Sequence, residues 1–291
     1  MQDLQLLISD ISQGCIYGLI ALGFCLIYKA TEAVNFAQGD LMMLGAFFGL
    51  SASTVLGAPF WLSILIAMGI MAAFGMGLEA LILRPVLGQP TFTVVMVTIG
   101  FGFIARGVAT MIPGWGTDTH SFEASFKGQT AKFAGLVIGL EHIVVIVSTI
   151  ALCVALYLYF RFTRMGVAMQ AASQNQLAAY YMGIPVRRLN GLIWAISAAV
   201  AAVAGILLAP ITFVHANMGF IGLKAFPAAV VGGFGSLPGA IAGGLIIGIV
   251  ESFSGFYLPE GFKDVAAYIV VLVMLMIWPH GLLGERLRKR V

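Results

Sequence analysis

Asn35, Gln38 and Asp40 fall close together in a polar, glycine-broken stretch, Lys29-Ala-Thr-Glu-Ala-Val-Asn35-Phe-Ala-Gln38-Gly39-Asp40, which feeds straight into an apolar run over 41–56. Irregular polar backbone at membrane depth survives only where protein buries it or where it lines a wet cavity. Asn35, Gln38, Gly39 and Asp40 are therefore candidate translocation-pathway residues. The other reading is a plain connecting turn with Asp40 as the N-cap of the next helix. A second break lies within Lys224-Ala-Phe-Pro227-Ala-Ala-Val-Val-Gly232-Gly233-Phe-Gly235-Ser236-Leu-Pro238-Gly239. A short apolar run enters it, and a full helix leaves it bearing the ridges Gly239-xxx-Gly243 and Gly244-xxx-Gly248. Short helices interrupted by Gly and Pro point to transport sites. Lys224, Gly232, Gly233, Gly235 and Ser236 join the pathway candidates, with an ordinary tight helical hairpin as the alternative.

Glu79, Arg106 and Glu251 are charges inside apolar runs. Glu79 lies about one turn before Arg84, the spacing of a structural ion pair rather than a proton relay. Arg106 either snorkels outward or pairs with an acid on a neighbouring helix. Glu251 is a second buried acid. A different feature is the polar island 161–188, with arginines at both edges. Ala171, Ala172, Ala178 and Ala179 favour a short helix there, and Gly183 followed by Pro185 stops it. Such a helix on the positive face of a membrane protein is placed for a soluble partner to grip, and the plain alternative is a cytoplasmic loop. Ala171, Ala172, Ala178, Ala179, Met182 and Gly183 are its candidate coupling residues.

The elements that must position these residues are transmembrane helices. Of 291 residues, 60% are hydrophobic and 9% charged, and mean hydropathy is +1.02. A globular domain carries about 25% charged residues, so most of this surface does not face water. Apolar runs of about 20 residues match the hydrocarbon core at 1.5 Å per residue, whereas a membrane barrel would show alternating segments of about ten. The fold class is all-α and polytopic, with about eight or nine spans depending on whether the 224–231 run crosses or re-enters. The start, Met1-Gln-Asp3-Leu, lacks the basic region and cleavage site of a removable signal peptide, so the first run is expected to stay as a span. Small residues four apart, Gly14 and Gly18 and then Ser197, Ala201 and Gly205, mark faces for close helix packing.

Placing the basic tail Arg286-Leu-Arg288-Lys289-Arg290 inside puts Lys29, Arg84, Arg161, Arg164, Arg187 and Arg188 on the cytoplasmic side as well. Arg106, Lys127, Lys132, Lys224 and Lys263 then lie at or toward the outer side, in accord with the positive-inside rule. The N-terminus is outside if 224–231 crosses fully and inside if it re-enters. An internal echo is also present. Asn35-Phe-Ala-Gln-Gly39 followed by Gly45-xxx-Gly49 parallels Val231-Gly-Gly-Phe-Gly235 followed by Gly239-xxx-Gly243. This pattern suits an inverted repeat whose broken helices meet at a central pathway.

Several chemistries have no support. No Gly-x-x-x-x-Gly-Lys-[Ser/Thr] occurs, nor HExxH, nor GxSxG, so no P-loop ATP site, zincin or hydrolase elbow is encoded. Cys15, Cys25 and Cys153 and the four histidines are scattered, which argues against a metal site or a disulfide framework. No cofactor and no nucleic-acid partner are expected.

Three stretches in order resemble the inner-membrane permeases of branched-chain amino-acid ABC importers. They are Val34-Asn35-Phe36-Ala37-Gln38-Gly39-Asp40, Arg164-Met165-Gly166 through Ala178-Ala179 to Met182-Gly183-Ile184, and Lys224-Ala-Phe through Gly232-Gly233-Phe-Gly235-Ser236 to Pro238-Gly239-Ala240. The resemblance implies one permease domain over 1–291, with an extracytoplasmic loop over 113–140 and a cytoplasmic coupling segment over 161–188. It implies a multi-pass bacterial inner-membrane protein, in contact with membrane lipid and partnered by a sister permease, two cytoplasmic ATPase subunits and an extracytoplasmic binding protein. The chain itself would not be an enzyme. The family's coupling helix maps to about 171–183. ABC permeases generally read Glu-Ala-Ala and then glycine there, whereas Leu177 precedes Ala178-Ala179 here, so docking by shape stays and the acid is absent. Alternatives are an ABC permease for urea or short amides, and an ion-coupled secondary transporter using Glu79, Asp40 or Glu251.

Overall fold

The structure is a computed structural model that describes residues 2–86, 88–133, 136–259 and 261–284. The tail residues Arg286, Arg288, Lys289 and Arg290 lie outside the described residues, as does the side chain of Lys132. The chain runs through α1 (Gln2–Thr31), α2 (Gln38–Leu56), α3 (Phe60–Leu78), α4 (Thr91–Met111), β1 (Thr130–Phe133), β2 (Leu136–Gly139), α5 (Leu140–Phe162), α6 (Arg164–Gln174), α7 (Gln176–Tyr181), α8 (Val186–Thr212), α9 (Gly219–Gly232), α10 (Leu237–Tyr257) and α11 (Phe262–Ile277). Among the described residues seven helices are long and apolar enough to cross a membrane: α1, α2, α3 with its extension to Val86, α4, α5, α8 and α10. The two further runs read as spans in the sequence are shorter here, α9 with 14 residues and α11 with 16.

α1, α2 and α8 fill the centre, with Ile16, Leu19, Phe24, Met42, Phe47 and Trp194 all nearly inaccessible. α3, α4, α5 and α11 surround them and turn Leu65, Phe92, Ile104, Ile150 and Met276 outward. Lipid is as apolar as leucine, so outward leucines and phenylalanines cost nothing there and no hydrophobic force pulls the helices together. Close backbone approach does that instead. A methyl on Gly244 would sit 2.4 Å from Cα of Gly18, and one on Gly248 the same distance from Cα of Gly14. The ridge of α1 therefore lies directly in the ridge of α10.

Two expected boundaries change. The third span ends in a π-helical turn, Glu79–Leu83, and a 3-10 turn, Arg84–Val86, before Pro90 starts α4. The loop over 113–140 does not hang free. It forms the antiparallel hairpin of β1 and β2 and folds back on α2. Trp115 stacks on Phe47 at 4.8 Å and donates from Nε1 to Ser51 Oγ at 2.7 Å. His120 and Val214 exchange two backbone hydrogen bonds, 2.8 and 2.9 Å, tying this loop to the linker before α9. The aromatic content of the loop explains the difference: Phe122 is fully buried, which a solvated connector would not require.

Candidate functional site

Two helices start inside the bundle, and their first turns meet. Past the end of α1 the chain doubles back, so that Gln38 reaches the level of Gly23 partway along α1. Gln38 Nε2 fills the space where a Gly23 side chain would be. From there α2 runs on toward the Trp115 loop. α9 begins at Gly219, after the linker 213–218 has likewise turned back from the end of α8. Gly39 and Gly222 touch so closely that a methyl on Gly222 would lie 2.2 Å from Cα of Gly39. Two helix N-termini, each a partial positive charge, thus converge on one point.

Asp40 sits at that point. Its carboxylate accepts from Arg106 Nε at 2.6 Å and from Arg106 Nη2 at 3.3 Å, a bidentate pair between α2 and α4. The Asp40 side chain is 3% exposed and that of Arg106 17%. A methyl on either Gly102 of α4 or Gly219 of α9 would collide with the carboxylate, so both glycines make room for it. The guanidinium of Arg106 lies 3.9 Å from the ring centre of Phe220 and 5.5 Å from that of Phe103. Phe103 is 66% exposed and Phe220 about half. Asp40 is therefore not the N-cap of α2: the helix starts at Gln38, two residues earlier, and Asp40 spends its carboxylate on Arg106.

Asn35 and Gln38 form a neighbouring buried network. Asn35 Nδ2 donates to Gln38 Oε1 at 3.3 Å, Ser197 Oγ donates to the same oxygen at 3.2 Å and to Gly23 O at 3.1 Å, and Ala37 N donates to Asn35 Oδ1 at 3.1 Å. The Phe36 amide donates to Thr98 Oγ1 at 3.2 Å. The Phe36 and Ala37 amides thus find side-chain acceptors where the break leaves them without helical ones, as burial requires. Sequence reasoning missed Ser197 and Thr98 as polar partners. Ser197 was legible only as a small residue on the α8 packing face, and its hydroxyl at that position was the available signal.

Lys224 lies elsewhere, near the far end of α10. Its ammonium donates to Asp264 of α11 and stands 3.7 Å from Glu251 Oε1. Glu251 is 3% exposed, and Tyr17 of α1 faces it. Glu79 accepts from Arg84 Nη2 at 2.6 Å and from Arg84 Nε at 3.3 Å, within one turn of the third span.

The second break closes on itself. Gly232 of α9 packs on Gly239 and Gly243 of α10. Gly233 has φ +96°, open to glycine at little cost. Ser236 Oγ caps α10 by accepting from Gly239 N at 3.1 Å. The segment after α11 then adds to the end of α9: Leu282 N donates to Val231 O at 2.9 Å and Leu283 N to Gly232 O at 3.1 Å. The helix after the first break meets the helix that enters the second, while the two breaks pack on different elements. Gly39 meets Gly219 and Gly222, whereas Gly232 to Ser236 face α10 and the chain after α11. Glycine ridges choose partners by shape, and α9 carries one ridge at each end. The predicted pathway residues accordingly occupy three places rather than one.

The polar island is a helical arm of two pieces. Thr163 caps α6 by accepting from Gly166 N at 3.0 Å, and Asn175 breaks the arm and caps α7 by accepting from Ala178 N at 2.9 Å. Gly183, at φ +81°, ends α7. Ile184 N donates to Ala179 O and Gly183 N to Tyr180 O, both at 3.0 Å, the paired bonds of a Schellman cap. Ala172 and Ala179 are buried and unavailable to a partner, because they are the small residues on the inward face. Ala171, Ala178, Met182 and Gly183 are exposed. The projecting surface is Leu177 (64% exposed), Tyr180 (66%), Tyr181 (77%) and Met182 (82%). The sequence reading had not singled out the two tyrosines.

Apolar spans, two helices starting inside the bundle and an exposed helical arm are the architecture of a polytopic membrane protein. Residues 6–278 match the family described as the permease component of the branched-chain amino acid transport system. LivH of Escherichia coli K12, a high-affinity branched-chain amino acid transport system permease protein, is 32% identical over 97% of this chain and 96% of its own length. BraD of Pseudomonas aeruginosa, of the same description, is 30% identical over the same shares. A probable branched-chain amino acid transport permease of Methanocaldococcus jannaschii is 30% identical over 93% of this chain and 89% of its own. The chain belongs to this family of ABC-transporter permeases.

Proposed function

We propose that this chain moves branched-chain aliphatic amino acids across the inner membrane as one of two paired permeases. ATP is hydrolysed on two separate cytoplasmic subunits, and an extracytoplasmic binding protein delivers the solute. The observation that carries this reading is the match to LivH and BraD along nearly the whole chain, which favours it over the ion-coupled alternative.

The geometry supports a mechanism. Tyr180, Tyr181 and Met182 form an apolar knob on a short, doubly capped helix, suited to a groove on an ATPase. Gln176 Nε2 donates to Ala30 O at 2.5 Å, so the arm is fastened to the end of α1. Gly166 leaves α6 in backbone contact with Phe160 at the end of α5. Closure of the ATPases pushes this arm, and the spans follow as rigid bodies. At the far end of the motion lies the Asp40–Arg106 junction. A zwitterionic amino acid offers a carboxylate to Arg106 and the two helix N-termini, and an ammonium to Asp40, replacing each partner for the other. The exposed rings of Phe103 and Phe220 face an aliphatic side chain. Lys29, Arg84, Arg161, Arg164, Arg187 and Arg188 lie in the arm or at span ends, and the positive-inside rule supports a cytoplasmic side for the arm and the C-terminus.

The test is reconstitution of the assembled complex in proteoliposomes with labelled leucine. ATP-dependent uptake that requires the binding protein is the expected result. Uptake by this chain alone on an ion gradient, without ATP, would overturn the proposal.

A further inference from the structure

A cavity of about 860 Å³ opens between α1, α5, α6 and the start of α10, away from the Asp40 junction. Lys29 and Arg161 stand at one end of it, beside Ser236. Among the described residues no carboxylate lines it and neither cation is ion-paired. Leu22 and Val154, seven residues before each cation on its own helix, line the opposite end, about 10 Å away at the helical rise. Phe160 flanks the charged end. The first turn of α10 faces the same space, and the positive end of a helix adds to the field of the two cations.

This is a site for a ligand with an anionic head and an apolar body. A transported amino acid does not fit it, because its ammonium would meet two cations and, among the described residues, no acid. We propose that the cavity binds an anionic phospholipid, with its phosphate between Lys29, Arg161 and the first turn of α10. Its chain lies along Leu22, Val154 and Phe160. Basic pockets between spans take anionic head groups in this way. Gln170 of the arm also borders the cavity, so the lipid braces α6 against the second break.

The test uses the full chain purified with its partner subunits in mild detergent, followed by native mass spectrometry. The probes are phosphatidylglycerol and phosphatidylcholine with identical acyl chains. Wild type retains phosphatidylglycerol preferentially, and Lys29→Gln with Arg161→Gln lowers that retention about tenfold while leaving phosphatidylcholine unchanged. Val154→Trp, at a half-exposed position, lowers retention with both charges in place. Equal retention of the two lipids by wild type overturns the proposal, even if the double variant fails to assemble. So does undiminished phosphatidylglycerol on the double variant. Neither readout depends on whether the complex transports amino acids.

Discussion

α2 and α10 both start from a break in the chain, and the two breaks are held in opposite ways. The first is held by side chains: Gln38 with Ser197 and Asn35, and Asp40 with Arg106. The second is held by backbone. Gly232 lies on Gly239, and Leu282 and Leu283 donate to the carbonyls at the end of α9. A break built from polar side chains keeps exchangeable partners near the middle of the bundle. One built from glycines has only shape to offer. Glycine and proline content alone does not say how a break is held. The first break carries a charge pair at two helix starts, and in the proposed mechanism it is the one that meets the zwitterion.

The comparison is breakable at several points. Arg106→Leu should have the largest effect, because it leaves the Asp40 carboxylate buried without its partner, a loss of about 3–5 kcal/mol. Thermal unfolding in detergent would show it, and adding Asp40→Leu should recover most of the loss. A double variant no more stable than the single one would mean that the pair is not what holds the first break. Gly233→Leu comes next. It forces a side chain onto a left-handed backbone and into the carbonyl of His280, at a cost of about 2–3 kcal/mol. It should also abolish transport, whereas a fully active variant would make the second break a tolerant hairpin. Ser236→Ala removes the cap of α10, worth about 1 kcal/mol, and should lower the melting temperature without changing solute preference. Ser197→Ala should cost least, about 0.6 kcal/mol as is typical between spans, because Gln38 can still donate to the α8 backbone. A larger loss there would mean that the first break depends on its amides as much as on its charges.

Much of this was legible along the chain. The polar stretch before Asp40 and the Gly-Gly-Phe-Gly-Ser stretch both read as breaks, and both are breaks. The ridge of Gly14 and Gly18 read as a close-packing face. Its partner, Gly244 and Gly248, was visible as a ridge too, but nothing local says which ridge receives which. The same limit hid the pairing of Asp40 with Arg106, since the two are 66 residues apart and become neighbours only because Gly102 and Gly219 leave space. It also kept the internal echo from showing that Gly39 would lie against the start of α9. On the arm, alanines gave the helix but not its exposed face. Asn175 could have been read as a cap, and that would have divided the arm and turned Tyr180, Tyr181 and Met182 outward.

The central proposal is that this arm couples the permease to its ATPases. The direct measurement is co-purification from solubilised native membrane, comparing wild type with Tyr181→Glu/Met182→Glu. Both residues are exposed, so folding and membrane insertion should be unaffected. The account predicts that wild type brings down P-loop ATPases and a second permease. The variant should keep the second permease and lose the ATPases. A variant that retains its ATPases in full, or a wild type that brings down none, would contradict it.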